Sequence, residues 1–165
     1  MSGPVVRRVL MVCMGNICRS PTAEGVLRDK LRAAGFDGQV EVDSAGTHAD
    51  WHAGEAPDPR AQRHAARRGY DIAALRARKV VAADFERFDL ILGMDDDNLA
   101  QLGEMCPKGH RSKLGRLTDH SVRFVAAEVP DPYQRGAEDF EHVLDLVEDA
   151  CDGLLRTLVA KRPAA

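Results

Sequence analysis

Four consecutive apolar residues, Val9-Leu10-Met11-Val12, run straight into Cys13, and Gly15 and Asn16 then break the run. An unbroken apolar run closed by turn residues is the pattern of a strand covered on both faces. The strand is read over Arg7–Cys13. Pro21 suits the first position of a helix, Ala23, Val26, Leu27, Leu31 and Ala34 follow at helical spacing, and Gly35 fits the C-cap. A buried strand that passes through a short loop into an amphipathic helix commits the chain to a parallel sheet with crossover helices.

Similar units recur downstream. Val40–Ser44 reads as a second strand, and residues 45–58, rich in Gly, His, Asp and Pro, read as a loop. Asp58 is positioned to cap a helix that begins at Pro59 and stops at Gly69. Asp89–Met94 is a buried strand, and a short helix starts within Asp95–Asn98. The fourth strand is placed at Lys113–Leu117, and a long loop, Thr118–Gly136, holds Pro130-Asp131-Pro132-Tyr133. Phe140, Val143, Leu144, Val147, Cys151, Leu154, Leu155 and Leu158 form the apolar stripe of a final helix. Neither a repeat nor a linker divides the 165 residues, so 1–165 reads as one α/β domain. Parallel sheets hold their ligands at the carboxyl ends of the strands. Cys13 sits at such an end.

Charge and cysteine usage narrow the function. A net charge of -3, with 23 Lys+Arg against 26 Asp+Glu, argues against a general nucleic-acid binder. No stretch approaches the ~20 apolar residues that span a bilayer, so membrane insertion is not expected. The apolar run after Met1–Arg8 is too short for a signal peptide. A cytoplasmic protein is therefore expected, with Cys13, Cys18, Cys106 and Cys151 reduced, and a monomer is the default. Their spacing does not form two CxxC knuckles, which argues against structural zinc.

Cys13-Met14-Gly15-Asn16-Ile17-Cys18-Arg19-Ser20-Pro21 puts five residues between a cysteine and an arginine. A loop this short can wrap a tetrahedral dianion with inward-pointing backbone N–H groups. The following helix N-terminus adds positive potential. Gly15 would allow backbone geometry that a Cβ resists. The same field favours a thiolate on Cys13, and the Ser20 hydroxyl can donate to it. Arg19 can grip two phosphoryl oxygens side by side, which lysine cannot.

This segment resembles the phosphate-binding CxxxxxR loop of the low-molecular-weight protein tyrosine phosphatases. The likeness continues through Asp43-Ser44-Ala45-Gly46-Thr47, Trp51-His52, Pro57-Asp58-Pro59-Arg60 and Asp131-Pro132-Tyr133. It implies a single-domain three-layer sandwich: a four-stranded parallel sheet of flavodoxin-like order 2-1-3-4 with helices on both faces. It implies a hydrolase that dephosphorylates tyrosine-phosphorylated proteins or aryl phosphates without metal or organic cofactor. Cys13 resembles the nucleophile that carries a phosphocysteine, Arg19 the phosphate clamp, and Asp131 the general acid and then base. Met14, Gly15, Asn16, Ile17, Cys18 and Ser20 would bind substrate or hold the loop, with Trp51 and Tyr133 as aromatic walls. Ile17 fits the tyrosine-directed branch, where a phosphoarginine-directed branch tends to carry Thr. Met14 and Gln134 depart from the family pattern at the rim.

Cys18 either packs or forms a reversible disulfide with Cys13. Cys106 and Cys151 read as structural. Ser44 and Thr47 either touch the loop from below or merely form a turn. The six histidines are scattered and none is assigned a role. Arg60, Arg63, Arg67 and Arg68 read as the solvated face of one helix. Three rival functions share some features. An arsenate reductase of the same fold needs two further cysteines close together. A metal-dependent phosphatase would use Asp95 and Asp97 after the third strand. A phosphate-sensing module would lack turnover, yet Cys13, Arg19 and Asp131 are all present.

Overall fold

A computed structural model describes residues 5–160. Residues 1–4 of the amino-terminal segment, and residues 161–165, lie outside them. The element order is β1 (Arg8–Cys13), α1 (Arg19–Ala33), β2 (Glu41–Gly46), α2 (Pro59–Arg67), α3 (Asp84–Arg87), β3 (Leu90–Gly93), α4 (Asp96–Met105), β4 (Leu114–Arg116) and α5 (Ala137–Ala160). Short 3-10 turns occupy Ala49–His52, Lys108–Lys113 and Leu117–His120. The four strands form one parallel sheet in the order β2-β1-β3-β4, as expected.

Alternation along β1 builds two cores. Val9, Met11 and Cys13 face a cluster that includes Val26, Leu27 and Leu31 of α1 and Val143, Val147 and Leu154 of α5. Leu10 and Val12 face Phe85 and Phe88 around α3, with Leu102 of α4. Every one of these side chains is buried, so the run Val9–Val12 is apolar because both faces of the central strand are covered.

Several boundaries differ from the reading above. Helix α1 starts at Arg19, which places Pro21 two residues inside it. Proline is tolerated there because the first-turn N–H groups have no intrahelical acceptor. Strand β2 continues to Gly46 because it pairs along the full length of β1, with Cys13 opposite Gly46. Helix α3, four residues long, was missed; it is too short to show periodicity, though Phe85 and Phe88 are fully buried.

Arg68, at the C-terminal end of α2, is not part of a solvated face. Arg68 contacts Glu141 at 2.7 Å and Asp145 at 3.0 Å and also pairs with Glu148, a row of acids along α5. His64 is buried and bonds Glu141. The long loop before α5 is held by Asp149, whose buried carboxylate accepts backbone N–H groups of Val122, Arg123 and Phe124. Burial pushes that carboxyl upward, but the three backbone donors hold it below its ordinary value.

Gly153 in α5 marks the closest packing. A Cβ there would lie 1.8 Å from the His120 carbonyl oxygen. In an exposed helix, alanine at a glycine position is stabilising by about 1 kcal/mol. Here Gly153→Ala is expected to destabilise the fold by about 3 kcal/mol, because backbone must move. Urea unfolding checks the sign; a stabilised variant would show that α5 and the preceding turn do not touch.

Candidate active site

The loop between β1 and α1 closes around the Cys13 sulfur. The Asn16 backbone N–H donates to Sγ at 3.3 Å, and Ser20 Oγ lies 2.9 Å away. Asn16, not Gly15, takes the left-handed conformation, with φ 58°. Three side-chain hydrogen bonds hold it there. Its Nδ2 donates to Ser20 Oγ at 2.8 Å and to Ser44 Oγ at 3.0 Å, and its Oδ1 accepts the Arg78 N–H at 3.0 Å. Gly15 packs closely on His52: a Cβ would sit 3.2 Å from the ring, which would have to shift by a few tenths of an ångström.

These bonds fix a direction. Because Asn16 donates to Ser20 Oγ, the Ser20 proton is free to point at the sulfur; its other acceptor, the Ala45 carbonyl, is 3.5 Å away. Ser44 spends its own proton on Glu24 Oε1 at 2.6 Å. Glu24 is buried beside Arg28, 2.7 Å away. Burial raises its carboxyl, while the Ser44 hydroxyl and the Arg28 charge partly counter this. Ser44 therefore supports the loop, and Thr47 caps β1 differently, through its backbone N–H to the Cys13 carbonyl at 2.9 Å.

Arg19 is 2% exposed. Its Nη1 donates to Asp95 Oδ2 at 2.6 Å and to the Val129 carbonyl at 3.0 Å, and its Nη2 lies 3.9 Å from Asp131 Oδ2. Burial works against the guanidinium charge, but the Cys13 sulfur and Asp95 more than offset it and raise its pKa. Asp131 is about half exposed, and its Oδ1 accepts the Tyr133 N–H at 3.1 Å.

A cleft of about 590 Å³ gathers Cys13, Met14, Gly15, Ile17, Cys18, Arg19, Trp51, Asp131 and Tyr133. Cys13 and Arg19 form its floor, both almost fully buried, and Trp51, 88% exposed, stands at the rim with Met14 and Tyr133. Asn16 and Ser20, expected among the substrate-binding residues, do not line it; they brace the loop from behind. Burial pushes the Cys18 thiol up, so Cys18 is held as a neutral thiol.

As a site residue, the sequence offered Asp95 only as the aspartate of a metal-dependent phosphatase and did not reveal that it orients Arg19. One carboxylate does two jobs: Oδ1 accepts the Asn98 N–H as cap of α4 at 2.7 Å, and Oδ2 orients Arg19. Its position at the end of β3, next to β1, was the available signal. His48, His52, Gln134 and Arg135 also line the cleft. Because Asp95 is engaged with Arg19, it is not free to act as a metal-dependent nucleophile, and Asp97 is exposed. Among the described residues no group of three His, Cys, Asp or Glu side chains could hold a metal ion. Cys106 and Cys151 belong to cores on opposite faces of the sheet, which breaks the cysteine relay of an arsenate reductase.

Known proteins resemble this chain in sequence and in fold. The chain is 40% identical over 158 residues to low molecular weight phosphotyrosine protein phosphatase 1 of Drosophila melanogaster, covering 95% of this chain and 100% of that one. It is 39% identical over 150 residues to the low molecular weight protein-tyrosine-phosphatase YfkJ of Bacillus subtilis, covering 91% and 94%. The crystal structure of a protein tyrosine phosphatase from Entamoeba histolytica superposes with a TM-score of 0.89 at 38% identity, over 92% of this chain and 96% of that one. Residues 8–164 match the family model described as low molecular weight phosphotyrosine protein phosphatase, and the chain belongs to that family.

Proposed function

We propose that this chain hydrolyses phosphotyrosine monoesters in two steps through a phosphocysteine on Cys13. One observation carries the reading: a sulfur, a guanidinium and a half-exposed carboxylate meet in one cleft, with Arg19 Nη2 3.9 Å from Asp131 Oδ2. The Cys13 sulfur attacks phosphorus in line with the departing oxygen. The S–P bond forms as the P–O bond breaks, and Asp131 gives its proton to the leaving phenolate. Arg19 and the loop N–H groups meet the charge on the equatorial oxygens. Water then attacks the phosphocysteine, Asp131 takes its proton, and inorganic phosphate leaves with the thiolate restored. The site needs no metal or organic cofactor for either step.

Trp51 and Tyr133 suit the flat ring of a tyrosine-phosphorylated protein or an aryl phosphate. The enzyme is proposed to act as a cytoplasmic monomer without a nucleic-acid partner. No helix among the described residues is long and apolar enough to cross a membrane. Asp131→Asn is expected to lower kcat/KM for phosphotyrosine by roughly 10²- to 10⁴-fold, the usual worth of a positioned acid. Vanadate inhibition should be retained. Steady-state kinetics on the wild type and this variant decides it, and wild-type rates in Asp131→Asn would remove the carboxylate from the mechanism.

A further inference from the structure

We propose that Arg60 is a positioning residue that holds the Asp131 loop at the distance from the phosphate loop that proton transfer requires. The inference rests on Asp131 acting as the acid.

Residues 130–135 are exposed apart from Pro132. Within the loop, the Tyr133 N–H bonds the Asp131 carboxylate and the Arg135 N–H bonds the Pro132 carbonyl at 2.9 Å. Those contacts shape the loop but do not fix where it sits. A group that must deliver a proton has to be held to within about 0.5 Å by something rigid outside its own loop.

Arg60, in the first turn of α2, is that support. Its Nη2 donates to the Tyr133 carbonyl at 2.7 Å and its Nη1 to the Arg135 carbonyl at 3.4 Å. The guanidinium also lies 5.6 Å from the Tyr133 ring centroid and 4.7 Å from that of Phe140. Its other edge is clamped by Asp58, which accepts from Nε at 3.1 Å and from Nη2 at 2.9 Å. Asp58 in turn donates its backbone N–H to the Ile17 carbonyl at 2.8 Å. Ile17 is in the phosphate loop. A short path therefore runs from the loop that holds phosphate, through Asp58 and the planar fork of Arg60, to two carbonyls of the acid loop just C-terminal to Asp131. Only a flat guanidinium can bond two carbonyls and a carboxylate while stacking on a ring. This also explains why Arg60 is not a solvated side chain, as its place on α2 had suggested.

The test uses substrates that differ in their need for a proton. Arg60→Ala is expected to lower kcat/KM for phosphotyrosine about 10- to 100-fold, the cost of a misplacement of about 1 Å. Aryl phosphates with strongly acidic phenols, which leave without protonation, should lose far less. In an Asp131→Asn background, Arg60→Ala should cost nothing further. Vanadate inhibition, which needs the folded Cys13 loop and Arg19, should be unchanged in Arg60→Ala and in the milder Arg60→Gln. A loss equal across all leaving groups, an additive double variant, a matching loss of vanadate affinity, or wild-type kinetics would each overturn the proposal. Should Asp131→Asn itself show no dependence on the leaving group, the acid assignment fails first and the role of Arg60 falls with it.

Discussion

Cys13→Ser is expected to lower phosphotyrosine hydrolysis on the order of 10⁵-fold while leaving the fold and phosphate binding intact. The reason lies in what surrounds the sulfur. Ser20 Oγ and the Asn16 N–H are both turned toward it as donors, at 2.9 and 3.3 Å. Donors stabilise an anion, but they do not remove a proton. An alcohol placed there has no adjacent base to activate it and remains a poor nucleophile. The side chain becomes slightly smaller and stays polar, so the loop, Arg19 and the anion cradle persist. Kinetics with an aryl phosphate, alongside phosphate or vanadate binding, separates the two effects. Activity within about 100-fold of wild type would show that the sulfur is not the attacking atom.

Arg19→Lys should be nearly as damaging, with a loss of about 10³-fold in kcat, although it conserves the charge. Arg19 is held from behind by Asp95 and the Val129 carbonyl through one nitrogen, Nη1. That arrangement leaves Nη2 aimed toward Asp131 and the cleft. A lysine ammonium can bond Asp95 or reach the phosphoryl oxygens, but it cannot present a second, rigidly linked donor. The deficit should appear in kcat more than in KM, because charge on the equatorial oxygens grows toward the transition state. A variant with unchanged kcat and raised KM would mean that Arg19 serves ground-state binding alone.

The parts of this enzyme that could be read from the sequence are those whose causes are local. The run Val9–Val12 announces a strand covered on both faces, and Cys13 and Arg19 announce the loop that follows it. The stripe on α5 needs only a helical period. The features that escaped depend on partners distant in the chain. Arg68 looks solvated until Glu141, Asp145 and Glu148 of α5 are brought against it. Asp95 looks like a simple helix cap because the sequence shows that use of its carboxylate, whereas Arg19 lies 76 residues away. The end of β2 at Gly46 is set by the length of β1, not by its own residues. Gly15 seemed the residue that must bend the loop, yet Asn16 bears the unusual φ because its amide has three partners to hold it there.

The central claim is that phosphorus passes through a covalent bond to one sulfur. Asp131→Asn slows hydrolysis of such an intermediate, and an aryl phosphate with a strongly acidic phenol still forms it without the acid, so this variant and that substrate are the pair to quench within milliseconds of mixing. Mass mapping of the digested protein should then find one added phosphoryl group on Cys13, none on Cys18, and its decay should match kcat. Full turnover with no protein-bound phosphoryl group, or with the group on another residue, would contradict the account.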